Sequence, residues 1–417
     1  MASNAREVLG NIQNQCNGCQ TCSSACSLLA GLGDLTLPEL AGQVADGQPS
    51  KQARDFIQKC ILCGRCTRHC PSAVDVPAMV TAARTLLAES NPVILELYSP
   101  VWVDYDWNIF TIYRDTYGVD YRDLVKNPVR TNDVRWREHG ASSIEKATCP
   151  SKESGAFWLF HVKDKCETLF FPGCALSSYA PELTRASFDW LSKRSGNVGL
   201  SLSCCGLPLV QMGAAERAAE YMATLRQSVT ATGARRIVTV CPTCHCHLQG
   251  QPGLAGTEVV SLYQLMAEAG VRAPLSRRGK ITVHDSCPER RVKLGGYMRE
   301  ILGSYDIREM AHSGAETICC GSGGLVGIAD PASCSRQAEE RMAEFRQVAA
   351  AQCVTYCMNC ALTLSAAAPG KVRHILELVF NRPVDYAAIQ RRSEAMWQGE
   401  PGKVNFKRLA DSTPSRP

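Results

Sequence analysis

Two runs of four cysteines near the N-terminus constrain the fold of this chain more than any other feature of its sequence. Both runs have the spacing Cys-x-x-Cys-x-x-Cys-x-x-x-Cys, and Pro71 follows the second. The runs consist of Cys16, Cys19, Cys22 and Cys26, and of Cys60, Cys63, Cys66 and Cys70. Repeated close spacing of this kind predicts metal centres bound through sulfur rather than a disulfide framework.

The spacing is the iron–sulfur pattern of two-cluster ferredoxins, in which the fourth cysteine of each run reaches the cluster of the other run. One 4Fe–4S cluster is therefore predicted to be bound by Cys16, Cys19, Cys22 and Cys70. The other is predicted to be bound by Cys60, Cys63, Cys66 and Cys26. Ser27 replaces the proline that usually follows such a run, but that proline ligates nothing. Two zinc knuckles or disulfides are the alternative, although zinc sites usually use two separated pairs, often with histidine.

The 23 cysteines in 417 residues also indicate the cellular compartment in which the protein works. Secreted disulfide scaffolds are short, and residues 1–10 contain no apolar signal segment. The net charge of +5 gives no basic tract for nucleic acid. The uncharged runs 196–215 and 347–370 contain cysteines and are interpreted as buried core rather than membrane spans. We expect a cytoplasmic protein with metal-binding or redox cysteines, no transmembrane segment and no nucleic-acid partner.

Ten further cysteines form an internal repeat. The two copies consist of Cys174, Cys204, Cys205, Cys241 and Cys244, and of Cys287, Cys319, Cys320, Cys357 and Cys360. Residues 168–174 and 281–287 read as strands that end on a cysteine, and 236–244 and 353–360 as strands that run into Cys-x-x-Cys. Each half reads strand, helix, paired-cysteine loop, helix, strand, helix. This order predicts parallel sheets with the cysteines at the carboxyl ends of the strands.

Five cysteines per half exceed the four that a cubane cluster takes. Two adjacent cysteines can bridge or cap neighbouring irons, which suits an irregular cluster. The alternative is a buried vicinal pair beside a zinc-binding Cys-x-x-Cys. Two complete copies beside a ferredoxin motif favour the irregular cluster.

The double motif resembles the cysteine-rich CCG domain of heterodisulfide reductase, and a ferredoxin domain followed by two CCG repeats resembles the D-type subunit of that enzyme. The chain is also similar to the cytoplasmic iron–sulfur subunits of sulfate-reducer transmembrane redox complexes of the Hmc, Tmc and Dsr types. Other similar proteins are the iron–sulfur subunits of glycolate, lactate and anaerobic glycerol-3-phosphate dehydrogenases. The resemblance covers roughly residues 10–90 and 166–385. It implies that each set of five cysteines is catalytic and holds one noncubane 4Fe–4S cluster, with both clusters facing a cleft where a disulfide is split.

The predicted fold class is α+β / α/β, with a mainly helical two-cluster ferredoxin domain followed by two pseudo-twofold-related α/β CCG repeats. The predicted units are 1–90 (ferredoxin), 91–165 (aromatic-rich connector), 166–275 (first CCG domain), 276–390 (second CCG domain) and 391–417 (polar C-terminal tail). The aromatic segment 98–121, with Trp107 and Tyr113, either packs on its own domain or forms a docking surface.

The favoured function is an iron–sulfur electron-transfer and disulfide reductase subunit of a membrane-associated redox complex, acting on a heterodisulfide or on a protein trisulfide or disulfide. The expected partners are a membrane-anchored redox subunit, cytochrome b-like or quinone-linked, and a disulfide-bearing small thiol or carrier protein. These partners would place the chain at the inner face of the membrane. The alternative is a relay that links a flavin dehydrogenase of the glycolate, lactate or glycerol-3-phosphate type to quinone or cytochrome without a substrate of its own. A zinc protein with a structural or nucleic-acid-binding role is a third hypothesis, which the modest charge disfavours.

The other cysteines are interpreted as small buried hydrophobes, namely Cys149, Cys166, Cys246, Cys334 and Cys353. Cys246 lies between His245 and His247, so zinc binding is an alternative there. His284 is either a core histidine or a proton donor to a substrate thiolate. Arg290 and Arg291 either attract an acidic thiol substrate or are solvated surface residues.

Overall fold

The N-terminal part of the chain is helical. The computed structural model describes residues 2–102, 108–124, 127–130, 158–161, 165–251, 253–254, 256–274 and 279–412. Its N-terminal helices are Ala2–Gln15, Thr21–Ala25 (a 3-10 helix), Ser27–Ala30, Leu37–Ala45, Lys51–Lys59, Arg65–His69 and Val76–Ser90. The mainly helical N-terminal domain predicted from the sequence is confirmed.

Side-chain caps and an apolar centre explain why these helices form. The Asp75 carboxylate accepts a hydrogen bond from the Ala78 N–H at 3.0 Å, and Pro77 occupies the first turn of the same helix. The long helices pack against one another around the fully buried Leu9 and Leu40. Cys22 and Cys66 lie within the short helices Thr21–Ala25 and Arg65–His69, and the other six N-terminal cysteines lie in the connections between helices.

The segment after these helices packs on its own chain. It contains the 3-10 helix Pro92–Val101 and the helix Ile109–Thr116. Four of its aromatic residues are buried, namely Tyr98, Trp102, Tyr113 and Tyr121. Their burial favours packing on its own domain for the described part of 98–121, and the docking surface stays a hypothesis. Trp107 lies outside the described residues.

The first sheet has six strands. They are β1 (Asn127–Arg130), β2 (Trp158–His161), β3 (Thr168–Phe171), β4 (Val198–Ser201), β5 (Arg236–Thr239) and β6 (Glu258–Ser261), in the spatial order β1-β2-β4-β3-β5-β6. Strands β3 to β6 are parallel, whereas β2 pairs antiparallel with both β1 and β4. Two strands from the predicted connector therefore extend the sheet of the first CCG half. The helices of this half are Cys174–Tyr179, Pro181–Ser195, Leu207–Met212, Ala215–Thr232, Pro242–Gln249 and Leu262–Glu268.

The second sheet repeats the parallel part of the first. Its strands are β7 (Lys280–His284), β8 (Asp306–Ile307), β9 (Gln352–Thr355) and β10 (Val372–His374), in the order β10-β9-β7-β8. This order matches β6-β5-β3-β4 strand for strand, and all pairs are parallel. The two parallel-sheet CCG repeats predicted from the sequence are therefore confirmed. The helices of this half are Glu289–Val292, Gly295–Ile301, Val326–Ala329, Pro331–Arg346, Met358–Ala367 and Ile375–Phe380, with 3-10 turns Gly314–Glu316 and Gly323–Leu325.

The C-terminal segment is structured as far as it is described. The helices Tyr386–Ala395 and Gly399–Ser412 bury Met396 and Leu409 against Ile112 of the connector. The prediction of a polar tail over 391–417 is therefore wrong for residues up to 412, because scattered apolar side chains line one side of these polar helices. None of the helices within the described ranges is long and apolar enough to cross a membrane.

Candidate metal centres

The five motif cysteines of the first half meet at the carboxyl edge of its parallel strands. Cys174 begins the helix that follows β3, the Cys204–Cys205 pair follows β4, and Cys241 follows β5. A Cβ atom on Gly173 would lie 3.0 Å from Cys241 Cβ and 3.4 Å from Cys244 Sγ, so the ends of these strands nearly touch.

The thiols of this first set are in contact. Hydrogen bonds with the Cys174 and Cys205 thiols, together with burial, hold the pKa of Cys204 well above its usual value. The pKa of Cys205 is correspondingly lowered by hydrogen bonds from the Cys204 and Cys244 thiols. Five sulfur donors therefore converge within one small volume.

The second half places its five cysteines in the same way. The hydrogen bonds to Cys287 and Cys320 and the burial of the thiol raise the pKa of Cys319. Hydrogen bonds with the Cys320 and Cys357 thiols raise the pKa of Cys360. The grouping expected for both halves from the cysteine repeat is thus present.

The turn after each cysteine pair requires glycine. Gly206 and Gly321 have φ values of 86° and 97°, in the left-handed region that L-residues rarely adopt. A Cβ atom on Gly321 would also lie 2.6 Å from the Cys334 carbonyl oxygen. This turn points both cysteines of each pair toward the rest of their set.

The two halves meet at their cysteines. A hydrogen bond with the Cys241 thiol is the largest cause that raises the pKa of Cys357, which places a first-half thiol in contact with a second-half thiol. The part-exposed Cys246 lies near the same junction, where the charge of the exposed Arg291 opposes the effect of burial on the Cys246 pKa. The two sets therefore share one edge of the molecule.

The N-terminal cysteines also form two groups. Burial and the neighbouring Cys16 and Cys70 raise the pKa of Cys22. Burial raises the pKa of Cys66 as well, and Cys63, Cys60 and Cys26 act in the same direction. Cys70 thus lies with the first run and Cys26 with the second, as the ferredoxin pattern predicts.

The second ferredoxin group adjoins the second CCG half. Burial raises the pKa of Cys63 to about 11, and the nearby Cys287 thiol acts in the same direction. Arg290 Nη1 donates to the carbonyl oxygens of Cys63 and Cys287 at 3.2 and 3.4 Å, and Nη2 donates to the Thr317 carbonyl. Arg290 therefore joins the two domains and is not a free cation for an acidic substrate. Arg291, with a 63% exposed side chain 3.7 Å from Asp75, is more accessible.

Arg84 joins all three cysteine-rich units. It is 5% exposed, and its guanidinium donates to carbonyl oxygens in each unit. The acceptors are Ile57, Gln58 and Cys60 of the ferredoxin domain, Gln211 of the first half and Gly324 of the second half. Arg84 was not predicted from the sequence, since nothing in the local pattern of the helix Val76–Ser90 distinguishes it.

The donor sets fit iron–sulfur clusters. The cysteines of the described residues are all free thiols, and the four sets consist of sulfur donors. Burial raises the pKa of Cys60 to about 12, so the protein alone disfavours the thiolate form that a ligand must take. A bound iron centre supplies the missing positive charge. The assignment of the eighteen cysteines as ligands stays a prediction, and this grouping supports it.

The remaining candidates have other surroundings. Cys166 and Cys353 are buried in the cores of the two halves, Cys334 lies in the helix Pro331–Arg346, and Cys149 lies outside the described residues. His245 Nδ1 lies 3.0 Å from Thr239 Oγ1. In the described part of the chain, the one set of three metal-ligating side chains that includes a histidine is His284, Cys320 and Cys360. Zinc binding around Cys246 therefore gains no support.

Comparison with known families agrees with this geometry. Residues 12–74 match the 4Fe-4S dicluster domain, and residues 168–249 and 281–365 each match the cysteine-rich CCG domain.

Three curated proteins are similar to the chain. The B-type subunit of the fumarate reductase (CoM/CoB) of Methanothermobacter marburgensis is 27% identical over 50% of this chain and 45% of its own length. An uncharacterized iron-sulfur protein of Methanococcus maripaludis is 21% identical over 66% of this chain and 50% of its own length. The chain thus spans about half the length of these two relatives. The glycolate oxidase iron-sulfur subunit of Escherichia coli K12 is 21% identical over 91% of this chain and 96% of its own length.

Proposed function

We propose that this chain, which belongs to the iron–sulfur proteins that combine a 4Fe-4S dicluster domain with two cysteine-rich CCG domains, passes electrons from its N-terminal domain to a disulfide bound between its CCG halves. Its general role is that of an iron–sulfur electron-transfer subunit. We further propose that the ferredoxin cysteines hold two cubane 4Fe–4S clusters and the CCG cysteines two noncubane 4Fe–4S clusters.

The observation that carries the proposal is the adjacency of three cysteine groups. Cys63 of the second ferredoxin group lies beside Cys287 of the second CCG half, and Cys357 of that half contacts Cys241 of the first half. In this order the second CCG half lies between the ferredoxin domain and the first half. Neighbouring groups of this kind give electrons a short path through the protein.

The proposed reaction of a disulfide balances as R–S–S–R′ + 2 e⁻ + 2 H⁺ → R–SH + R′–SH, and a trisulfide would take up the same electrons and protons at one S–S bond to give a thiol and a persulfide. The S–S bond breaks, and each sulfur gains one electron and one proton. Bound iron–sulfur clusters supply electrons singly. Two half-sites that meet at one edge place electron donors on both sides of the bond, so no free thiyl radical has to form.

The surroundings of the junction suit a thiol substrate that carries negative charge. Cys241, Cys246 and Cys287 are part-exposed there, and Arg291 is exposed beside Cys246. The proposed substrate is a heterodisulfide, or a protein disulfide or trisulfide, whose acidic groups face Arg291. A membrane-anchored redox subunit, cytochrome b-like or quinone-linked, and a cytoplasmic position at the inner face of the membrane belong to the same proposal.

A relay without its own substrate is the second candidate. The similarity to the glycolate oxidase iron-sulfur subunit extends over 96% of that protein and favours it. In this function the chain would pass electrons from a flavin dehydrogenase of the glycolate, lactate or glycerol-3-phosphate type to a quinone or a cytochrome.

The two functions are distinguished by an assay in which the anaerobic, iron-loaded protein catalyses oxidation of a reduced viologen by an added electron acceptor. Disulfides of acidic thiols should oxidise the dye, and Cys320→Ser should abolish this activity. Cys334→Ser is the matched control, since Cys334 lies in the same half outside the repeated motif. Oxidation by a quinone analogue without oxidation by any disulfide would leave the relay as the function.

A further inference from the structure

A buried histidine–arginine pair adjoins the cysteine pair of the second half. His284 ends strand β7, Arg341 lies in the helix Pro331–Arg346, and both side chains are fully buried. Arg341 Nε donates a hydrogen bond to His284 Nδ1 at 3.0 Å. Glu344, one turn along the helix, accepts from Arg341 Nη1 and so fixes the guanidinium.

This contact determines which ring nitrogen of His284 carries the proton. Because a guanidinium only donates, Nδ1 of His284 must accept. An Nδ1 atom that accepts a hydrogen bond carries no proton, so the contact with Arg341 itself requires a neutral ring. A neutral imidazole that accepts at Nδ1 carries its proton at Nε2.

The imidazole of His284 lies near two motif sulfurs. Its Nε2 atom is buried and has no hydrogen-bond partner among the described residues. A ring nitrogen of His284 and the Sγ atoms of Cys320 and Cys360 all lie within 4.8 Å of one another. The hydroxyl of Ser322 lies 3.3 Å from Cys320 Sγ and provides a second donor. A thiolate at Cys320 therefore has one donor in hydrogen-bond contact, the Ser322 hydroxyl, and the other donor, the His284 ring, within 4.8 Å.

The first half lacks both donors. In the repeat, Phe171 occupies the position of His284, Leu207 that of Ser322, and Tyr221 that of Arg341. Phe171 and Leu207 have no side-chain N–H or O–H group, and the Tyr221 hydroxyl donates to the Cys204 carbonyl oxygen at 2.8 Å.

His247 lies near Cys205 in that half and acts on the Cys205 pKa in the lowering direction. It is part-exposed, and its ring nitrogens lie 3.4 and 3.5 Å from Gln251 Nε2. The two half-sites thus share their cysteines but differ in the hydrogen bonds offered to sulfur.

We propose that His284, held in its Nε2–H form by the positioning residue Arg341, donates a hydrogen bond to the Cys320 thiolate and gives the second-half centre a higher reduction potential than the first-half centre. Hydrogen bonds to ligand sulfur stabilise the more negative, reduced state of a cluster. The second half would then accept its electron before the first half. The proposal rests on the proposed function because it takes the second-half cysteines as cluster ligands.

The test replaces His284 by the residue of the first half. In His284→Phe, a redox titration followed by electron paramagnetic resonance should show the midpoint of the second-half centre lowered, with the iron content unchanged. The expected shift is about tenfold in the one-electron equilibrium, or about 59 mV. His374→Asn is the control because His374 is a buried histidine of the same half, and asparagine keeps its helix-capping acceptor. Its midpoint should equal that of the wild-type protein.

Pulsed electron paramagnetic resonance of wild-type protein labelled with ¹⁵N-histidine gives a second readout that needs no variant. We expect a weak nitrogen coupling to the second-half centre, which His374→Asn retains. An absent coupling overturns the proposal, as does a strong coupling, which would make His284 a ligand. An unchanged midpoint in iron-loaded His284→Phe also overturns it.

These readouts separate the two proposals. A protein that shows the shift and the coupling but reduces no disulfide contradicts the proposed function alone. A wild-type second half without iron contradicts both.

Discussion

At the scale of single residues, a substitution of Arg84 tests how the ferredoxin domain and the two CCG halves are held together. Replacing Arg84 by methionine should lower the free energy of unfolding by about 3 kcal/mol or more, because five carbonyl oxygens that are buried or partly buried lose a charged donor. Thermal unfolding followed by circular dichroism measures the effect. Arg346→Met is the control, since its ion pair with Glu339 is exposed and should change stability by less than about 1 kcal/mol. Equal effects of the two variants would contradict the role given to Arg84.

His374 predicts a dependence of stability on pH. Burial lowers its pKa to about 3, below the value of about 6.5 in an unfolded chain. The unfolded state therefore binds more protons between these values. The contribution of the neutral ring is fully present above about pH 6.5 and is lost as the pH falls toward 3, by up to about 1.4 kcal/mol per pH unit. In His374→Asn, unfolding measured between pH 7 and 5.5 should depend less steeply on pH than in the wild-type protein, and an identical slope would contradict the prediction.

Residues that belong to a motif of fixed spacing could be predicted from the sequence. Residues whose role depends on a contact made by the fold could not. The cysteines of both motif types group as expected, because their partners recur at fixed intervals. Arg341 lies 57 residues from His284, and Arg84 lies 240 residues from Gly324. Neither separation leaves a periodic signal, so the hydrogen-bond donors around the sulfurs emerge only from the fold.

At the scale of elements, strands next to the motifs were predictable and the others were not. Strands β3, β5, β7 and β9 are the segments that the sequence predicted before Cys174, Cys241, Cys287 and Cys357. Strands β4 and β8 were missed because β4 contains Gly199 and β8 has two residues, too few for alternation to show. Strands β6 and β10, which follow the Cys-x-x-Cys helix of each half, were also missed. The pairing of β2 with β4 is antiparallel and joins segments that are distant in sequence.

The 3-10 turn Gly323–Leu325 sets the spacing between the ferredoxin domain and the second half. A Cβ atom on Gly323 would lie 2.5 Å from the Ile61 carbonyl oxygen, so Gly323→Ala must push the two units apart. We expect iron content to be retained, stability to fall by about 1–3 kcal/mol, and reoxidation of the ferredoxin clusters by substrate to slow at least tenfold. Stopped-flow absorbance measures this rate. Gly296→Ala is the control because a Cβ atom there has open space, and an unchanged rate in Gly323→Ala would show that this contact does not set the electron path.

At the scale of the whole molecule, four cysteine sets predict the metal content. Two cubane and two noncubane clusters require about sixteen iron atoms per chain, four for each cluster. Iron and acid-labile sulfide should be determined on protein prepared anaerobically. About half that iron, with no signal from the CCG halves, would contradict the loading of both halves.

The joint at Arg84 has a consequence for how this molecule can diverge. All of its acceptors are main-chain oxygens, which every amino acid supplies. Replacing the side chains of Gln58 or Gln211 therefore leaves the acceptors in place. Arg84 can hold the three units together while the residues on their surfaces change. Because of this contact, the surface of each unit can change to recognise a different partner while the cysteine groups of the three units keep their relative positions.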